Sequence, residues 1–498
     1  MRRLFRNIGL RLILLVAFMF IAVEASAQSR TSYFMEGSYF RTELNPALKP
    51  TRGYVALPGI SGVGVNATSN FLSVDNLFYD NDGVRLSIFD GSMSASEVAS
   101  RFPSEANLRL NANVNVLGVG FYSGKTFWNF GVNARVQSFA TMPNDMFGSI
   151  AAGSVPSKIT HSSYDSTSFI EAYFGSSFRV HRSVNLGFRL KALFGVMGVS
   201  GQMTSASRES LTGEYVVAGM CVNKSPQAPN YTPYDKTDVF RKDLGYMVEG
   251  DVNFGLALDF GAEVRLFNDH LRLSAAITDL GFIKWHKDRI KGVVVNTKFN
   301  FDGAGIEEVA TCKDAEFTYV SNPYAGKDQA KNMRMLNFSV NAGIEYSFLR
   351  NHMSIGVMSH SEFCNNTIVL LNEREALRAI KRDYHEITAS LNLRPTNWLS
   401  ATVSKTFLVG EDIDIFGVAL NIHPRGINIF VGADFVDYKY IKGPHNSVLF
   451  SRPTSHNIYA GVGFNLTRPK YLREEAMAAR AAKAERKAQR LSKRYSAN

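Results

Sequence analysis

Apolar and polar residues alternate along most of this chain. Between Asn107 and Tyr122, every second residue is apolar. Successive side chains of a β-strand point to opposite faces, so the pattern predicts a strand with one apolar and one polar surface. The predicted apolar face carries Leu108, Leu110, Ala112, Val114, Val116, Gly118 and Gly120, and the opposite face carries Asn107, Arg109, Asn111, Asn113 and Asn115.

The same alternation recurs in stretches that begin near residues 128, 184, 252, 338, 387 and 457. A soluble β-sandwich also alternates, and it is the main alternative. Two features favour a membrane barrel instead. The polar faces carry Asn, Gly and Ser more than the Lys and Glu of a solvated sheet. The strands are also long, at about 10 to 16 residues, as a tilted membrane crossing requires.

The connections fall into short turns and long loops, as in bacterial outer-membrane barrels. Longer connections cover roughly 67–106, 141–167, 201–247, 286–332, 365–382 and 439–454, and the link near Gly410 is a short exception. Short turns lie near Ser123-Gly124, His181-Arg182, Asn268-Asp269, Arg350-Asn351, Pro395-Thr396 and Pro424-Arg425.

Six hairpins, a first strand near Tyr54–Asn66 and a last strand near Ser455–Thr467 give about fourteen strands. We therefore predict an all-β fold, a transmembrane antiparallel β-barrel over residues 54–467. An even number of strands places both chain ends on the periplasmic side.

The first 27 residues have the pattern of a secretory signal peptide. Four arginines precede the apolar run Leu12–Val23, and Ala25-Ser26-Ala27 matches a cleavage site, so the mature chain is expected to begin at Gln28. The alternative is an N-terminal membrane anchor, but the run of 12 apolar residues is short for a span. Export together with a barrel predicts location in a bacterial outer membrane.

The formal charge of +11 is concentrated at the two ends. The predicted signal peptide carries +3 and residues 470–498 carry +6, which leaves +2 for the body. Bulk charge therefore does not favour a nucleic-acid partner. Residues 468–498 are rich in Ala, Arg and Lys and predict a basic helical periplasmic tail. This tail is either a solvated helix or an electrostatic contact with an acidic surface.

Residues 28–53 precede the first strand and predict an N-terminal hatch that plugs the barrel. They contain Asn45-Pro46-Ala47, and in this position the sequence resembles FadL-like barrels, whose hatch carries this motif inside fourteen strands. A second similarity is the strand Leu273–Trp285 with Asp279-Leu280-Gly281, which resembles Bacteroidetes-type FadL-like proteins, including PorV-like secretion components. The chain is most similar to an uncharacterised Bacteroidetes family of such barrels. It departs from their hatches in having Gly37 as the only glycine between Gln28 and Pro46.

The resemblance covers most of residues 30–467 and implies transport of a small hydrophobic compound through a plugged lumen. The alternative that it implies is a PorV-like assembly barrel that binds a secreted or surface protein through its long loops. Expected partners are therefore outer-membrane lipid, a small hydrophobic ligand, or a protein at loops 201–247 and 286–332.

The predicted lumen-facing side chains mix both signs of charge. Such a mixture favours interior ion pairs that hold the barrel closed, because an ion-selective pore would show a ring of one sign. These residues are Asn107, Arg109, Asn111, Asn113, Arg135, Arg189, Asp259, Glu263, Arg265, Glu345 and Glu386.

Candidate catalytic chemistry is confined to Ser359-His360-Ser361-Glu362. Adjacent strand residues point to opposite faces, so these four cannot form a triad by themselves, and we predict no enzyme activity. No metal or cofactor motif is present. Cys221 and Cys312 lie in predicted long loops and could form a disulfide or stay free thiols.

Overall fold

The computed structural model describes residues 30–56, 62–81, 84–88, 92–152, 162–206, 210–219, 253–286, 290–300, 311–320, 333–363, 383–410, 413–436, 440–442, 448–450, 455–467, 469, 471 and 485. The predicted signal peptide, Cys221 and almost all of the predicted tail lie outside these residues.

Strands make up most of the described chain. Short α-helices cover Arg41–Leu44, Val74–Leu77, Ala95–Ser100 and Asn144–Ala152, and 3-10 helices cover Arg30–Ser32 and Leu349–Asn351. The strands are Tyr54–Ala56 (β1), Val63–Ser69 (β2), Phe78–Asn81 (β3), Val84–Ser87 (β4), Glu105–Ser123 (β5), Thr126–Pro143 (β6), Ser163–His181 (β7), Val184–Ala206 (β8), Ser210–Gly219 (β9), Phe254–Leu266 (β10), Leu271–Lys284 (β11), Ile290–Asn300 (β12), Thr311–Val320 (β13), Met333–Met335 (β14), Phe338–Phe348 (β15), Met353–Phe363 (β16), Asp383–Thr396 (β17), Leu399–Leu408 (β18), Asp414–Ile422 (β19), Ile427–Val436 (β20), Tyr440–Lys442 (β21), Val448–Phe450 (β22) and Ser455–Asn465 (β23).

Antiparallel pairing closes the barrel. Its wall has fourteen positions, here called staves, and each is occupied by one long strand or by two consecutive short strands. This confirms the predicted fold class. The first stave consists of β1 and β2, which both pair with β5 on one side and β23 on the other. β14 and β15 both pair with β11 and form a single stave. Around the barrel the remaining order is β5, β6, β7, β8, β10, β11, β15, β16, β17, β18, β19, β20 and β23.

All six predicted hairpins are present. The β10–β11 turn places Asn268 and Asp269 at φ values of 56° and 68°, a left-handed region that Asn and Asp tolerate better than most residues. Gly124 and Gly426 also have positive φ, in the β5–β6 and β19–β20 turns. The turn residues therefore match the backbone that each hairpin requires.

The predicted face of Val116, Gly118 and Gly120 is wrong in part. A β-bulge lies between Asn115 and Leu117, where β5 pairs with β6. A bulge adds one residue to a strand, so the alternation changes phase beyond it. Gly118 and Gly120 consequently lie on the buried face with the amides, and Leu117 and Phe121, each 40% exposed, take the outer face.

The predicted loops 201–247 and 286–332 also need correction, because they contain strands. β9 pairs with the C-terminal part of β8, Met197–Ala206, and with β12. β12 also pairs with β13. β10 stops pairing with β8 at Phe194, so these strands extend the sheet beyond the barrel. Their sequences include β-branched runs such as Val293-Val294-Val295, which favour strands.

The barrel carries an apolar outer surface and a polar interior. Along β15, the outward residues Ile344 and Tyr346 are both 55% exposed, whereas Asn341 and Glu345 on the other face are buried. Soluble proteins bury apolar side chains and expose polar ones. The reverse distribution seen here is typical of outer-membrane barrels. Among the described residues, no helix is long and apolar enough to cross a membrane.

A small cluster covers one part of the long-loop end. The helix Ala95–Ser100 begins with a capping box between Ser94 and Glu97. It packs beside the helix Asn144–Ala152, and the rings of Phe102 and Phe147 stack at 4.0 Å.

Candidate functional site

The N-terminal segment, residues 30–52, precedes β1 and is mostly buried. From Arg30 to Pro50, only Glu36, Glu43 and Lys49 are half-buried, and all other residues are buried. Its short 3-10 helix contacts β17, β18, β19 and β20, and its later part contacts β7, β8, β10 and β11. The segment therefore touches barrel strands on several sides.

Side chains from separate strands bind the backbone of this segment. Asn341 on β15 donates to Leu44 O at 2.8 Å. Asn428 on β20 donates to Gly37 O at 2.8 Å, and Arg394 on β17 donates to Phe34 O at 2.9 Å. The segment has little regular structure, so these donors supply partners that its buried carbonyl groups need.

Asn45-Pro46-Ala47 lies against β8, β10 and β11. The Asn45 amide oxygen accepts from Ala47 N at 2.9 Å, which forms a local turn. Its Nδ2 donates to the carbonyl oxygens of Ala275 at 3.2 Å and Ala262 at 3.4 Å. A Cβ on Gly187 would lie 2.3 Å from the carbonyl carbon of Pro46, so only glycine allows this approach.

Asp279 lies at the centre of a buried ion cluster. It has a φ of 64° at the bulge where β11 pairs with β10. Its carboxylate accepts two hydrogen bonds from Arg135, at 2.7 and 2.8 Å, and one from Lys191 at 2.6 Å. Lys191 also pairs with Asp259 at 2.8 Å, and Glu171 accepts from Arg135. Leu280 faces outward, and Gly281 packs closely against Ala257.

Among the described residues, three ion pairs join strands that have at least three other strands between them, and so cross the barrel interior. Arg135 on β6 and Asp279 on β11 are separated by three staves. Asp165 on β7 binds Arg334 on β14, again with three staves between them. Arg109 on β5 pairs with Glu362 on β16 at 2.5 Å, directly across the barrel. Bidentate and doubly paired charges of this kind fix the spacing of the strands that carry them.

The other predicted lumen residues are distributed along the interior. Asn107, Asn111 and Asn113 are half-buried, and Asn113 donates to Glu43 at 2.8 Å. Arg189 donates to Thr42 at 3.0 Å, so it also touches the N-terminal segment. The remaining pairs are Arg265 with Glu263, Glu345 with Arg394 and Arg272, and Glu386 with Arg30.

Sequence reasoning missed Thr31, Asp165 and Arg334. Thr31 Oγ1 lies 2.6 Å from Ser404 Oγ and also donates to Asp434. Asp165 and Arg334 lie at the edges of predicted long connections, where the alternation that marks inward positions had ended. The charges of Asp165 and Arg334, next to predicted strands, are a signal that could have found these two residues.

A small cavity of about 40 Å³ lies beside the N-terminal segment. Phe40, Leu44 and Tyr459 contribute apolar surface to its lining, and Arg135 and Asp279 contribute charge. A volume of this size accommodates a few water molecules at most. Any organic solute would therefore need the lining to move.

Glu43 is the acidic side chain of the N-terminal segment at this cavity. Burial raises the pKa of its carboxyl from the ordinary 4.5 to about 7, against the opposing effect of Arg189. Glu171 raises the pKa further, whereas Arg135 and Lys191 lower it. The charge state of the segment therefore changes near neutral pH.

The Ser359–Glu362 stretch supports no catalytic arrangement. His360 and Glu362 are buried on one face, where His360 Nδ1 lies 2.6 Å from Asn341 Oδ1 and Glu362 pairs with Arg109. Ser359 and Ser361 fall on the opposite face of β16. Within the described ranges, no group of three His, Cys, Asp or Glu residues is arranged to hold a metal ion.

Comparison with known families gives one match. The model of "Family of unknown function (DUF5723)" matches residues 46–434. The chain belongs to this family. That outcome confirms the predicted membership of an uncharacterised family. No curated protein matches the sequence.

Solved structures similar to this DUF5723 protein include FadL-type barrels. The Pseudomonas putida toluene transporter TodX is 9% identical, with a TM-score of 0.40, over 89% of this chain and 95% of that one. A Pseudomonas aeruginosa FadL homologue is 10% identical, with a TM-score of 0.40, over 89% and 98% of the two chains. The strand pairing described above defines the barrel.

Proposed function

We propose that this DUF5723 protein is a gated outer-membrane transport barrel whose N-terminal segment is the hatch. The observation that carries the proposal is the burial of residues 30–50 against strands on several sides, next to a cavity of only about 40 Å³. Passage of a solute then requires displacement of the hatch. We assign the short-turn end, where the hatch joins β1, to the periplasm, as in other outer-membrane barrels.

The attachment of the hatch is compatible with reversible movement. It is held by separate hydrogen bonds and ion pairs, such as Asn341 to Leu44 O and Arg272 to Glu36, and by apolar packing, such as that of Tyr39 and Phe40 against Phe430. Each hydrogen bond contributes only about 0.5–1.5 kcal/mol net, since water replaces it when the bond opens. None of these contacts belongs to the strand pairing of the barrel, so the hatch can detach while that pairing stays intact.

The solute that we propose is a small hydrophobic compound that carries one polar group. Phe40, Leu44 and Tyr459 offer apolar contact in the cavity, whereas Arg135, Lys191 and Asp279 offer charge and hydrogen bonds. TodX is described as a toluene transporter, which is compatible with the apolar part of this assignment.

Deletion of residues 30–50 tests the hatch role. We expect the barrel to insert and to admit radiolabelled benzoate, a ring with one carboxylate, faster than the full chain. Equal uptake of benzoate and of toluene by the deleted and full-length proteins, with both barrels folded, would argue against a hatch. A heat-shifted band on an electrophoresis gel reports folding.

Partner binding is a second candidate function, and the length of β8 favours it. β8 has 23 residues, whereas a membrane crossing needs about 9–11. The C-terminal part of β8 pairs with β9, and together with β12 and β13 it forms a sheet that projects from the barrel. A protein that co-purifies stoichiometrically, and is lost when residues 207–219 and 290–320 are deleted, would favour this function.

A further inference from the structure

An apolar groove lies on the outer surface of the barrel, over strands β7, β8, β10, β11 and β15. Its volume is about 610 Å³, and it is open over most of its outer side. Ala262 and Ala275 pair with each other across β10 and β11 and form its floor. Phe178, Leu186, Phe188, Phe260, Ile277 and Val340 surround them.

The barrel wall carries small residues at the groove, and contacts on its inner side explain why. Gly187 and Gly261 lie there because Asn45 and Pro46 approach too closely for a Cβ. Asn45 also binds the carbonyl oxygens of the floor residues, Ala262 and Ala275, from inside. Because small residues on both faces are backed by the N-terminal segment, the groove is a preformed concavity in a continuous, fully paired wall.

We infer that the groove binds one acyl chain of a membrane phospholipid. It is continuous with the outward apolar surface, on which Phe260, Ile277 and Leu186 are 52%, 41% and 38% exposed. Hydrocarbon chains are the molecules that cover such a surface in a bilayer. A concave site buries more of a chain than the surrounding convex wall does, and apolar burial stabilises binding in proportion to area.

The position of the groove indicates which leaflet supplies the chain. Ala262 and Ala275 each lie four residues from the β10–β11 hairpin end of their strands, about 13 Å along the strand. The groove is therefore in the leaflet nearest the short turns. Assignment of that leaflet to the phospholipid of the periplasmic side rests on the orientation proposed above, whereas chain binding does not.

Photo-crosslinking tests this site directly. The full-length barrel is reconstituted with phosphatidylethanolamine that carries a diazirine in one acyl chain, irradiated, digested and mapped by mass spectrometry. We expect labelling concentrated on residues 178–188 and 260–277. Labelling spread evenly around the outer surface would overturn the site, and so would labelling here by a diazirine fatty acid but not by the phospholipid.

Two variants that fill the groove distinguish specific binding of an acyl chain there from general contact with lipid. Ala262→Leu and Ala275→Leu each place a larger side chain on the floor and should lower labelling of the groove about tenfold, equivalent to one decade in affinity. The matched control Ala433→Leu, on β20 at the opposite side of the barrel, should leave it unchanged. Folded filling variants that are labelled like the wild type would contradict the assignment. None of these outcomes depends on transport.

Discussion

The carboxylate of Asp279 on β11 accepts hydrogen bonds from both terminal nitrogens of Arg135 on β6, at 2.7 and 2.8 Å. Three staves lie between the two strands. The carboxylate can reach this partner because it lies at a bulge with a φ of 64°. Asp279 was singled out in the sequence by its Asp-Leu-Gly motif, and the structure gives that motif a physical role. The bulge residue ties two distant strands together inside the barrel.

Asp279→Asn should strongly destabilise the barrel. Arg135 and Lys191 would then remain buried with fewer negative partners, and breaking a buried pair costs about 3–5 kcal/mol. Urea unfolding in detergent micelles measures this change. Asp414→Asn is the matched control, because its pair with Lys405 is 39–49% exposed and should contribute less than about 1 kcal/mol. An equal decrease in the free energy of unfolding for both variants would show that Asp279 has no central role in stability.

Glu43 should make the N-terminal segment less stable as the pH rises. Its pKa is raised in the folded state from 4.5 to about 7, so between these values the folded chain keeps a proton that the unfolded chain loses. Stability therefore decreases from pH 4.5 to about 7 and is then constant with respect to this group. Glu43→Gln should remove this part of the pH dependence and stabilise the protein by about 1–3 kcal/mol above pH 7.

Unfolding curves of the wild type and Glu43→Gln at pH 5 and pH 8 measure that difference. The two proteins should differ more at pH 8 than at pH 5. A constant difference at both pH values would show that Glu43 does not titrate in this range.

Gly187→Ala should loosen the Asn45-Pro46-Ala47 turn. The added Cβ would lie 2.3 Å from Pro46 C and 2.4 Å from Ala47 N, both backbone atoms, so the segment must shift. Overpacking of this kind costs about 1–3 kcal/mol. Hydrogen exchange of residues 42–48 should increase. Leu190→Ala, on the same strand but facing outward, should leave that exchange unchanged.

Much of the barrel could be predicted because each strand has one face toward lipid and the other toward a polar interior. Residues such as Ile344 and Glu345 must then alternate, and the turns at Asn268 and Gly426 mark where each hairpin ends. The bulges at Val116 and Asp279 were not predictable from one strand, because the neighbouring strand decides where an extra residue is accommodated. The strands beyond the barrel were missed because they lie in stretches without a clear alternation.

The interior partners were even less accessible to sequence reasoning. Arg135 and Asp279 are 144 positions apart, and Thr31 and Ser404 are 373 apart. Composition indicated that charges of both signs would pair inside the barrel, but which pairs form depends on the stagger of the strands. The roles of the predicted lumen residues and of Asn45-Pro46-Ala47 in transport stay predictions.

A reversible disulfide between the hatch and the barrel wall tests gating by the N-terminal segment. Thr31 Oγ1 and Ser404 Oγ are 2.6 Å apart, so Thr31→Cys with Ser404→Cys should form a bond on oxidation. With β1 holding the other end, the hatch would then be fixed at both ends. The native Cys221, Cys312 and Cys364 are replaced by serine, and each single cysteine variant serves as a control.

Uptake of radiolabelled benzoate into proteoliposomes is measured before and after reduction. We predict that the oxidised double variant loses uptake, that reduction restores it, and that the single variants respond to neither treatment. Equal uptake by the oxidised and reduced double variant, with the disulfide verified by mass spectrometry, would contradict gating by the N-terminal segment.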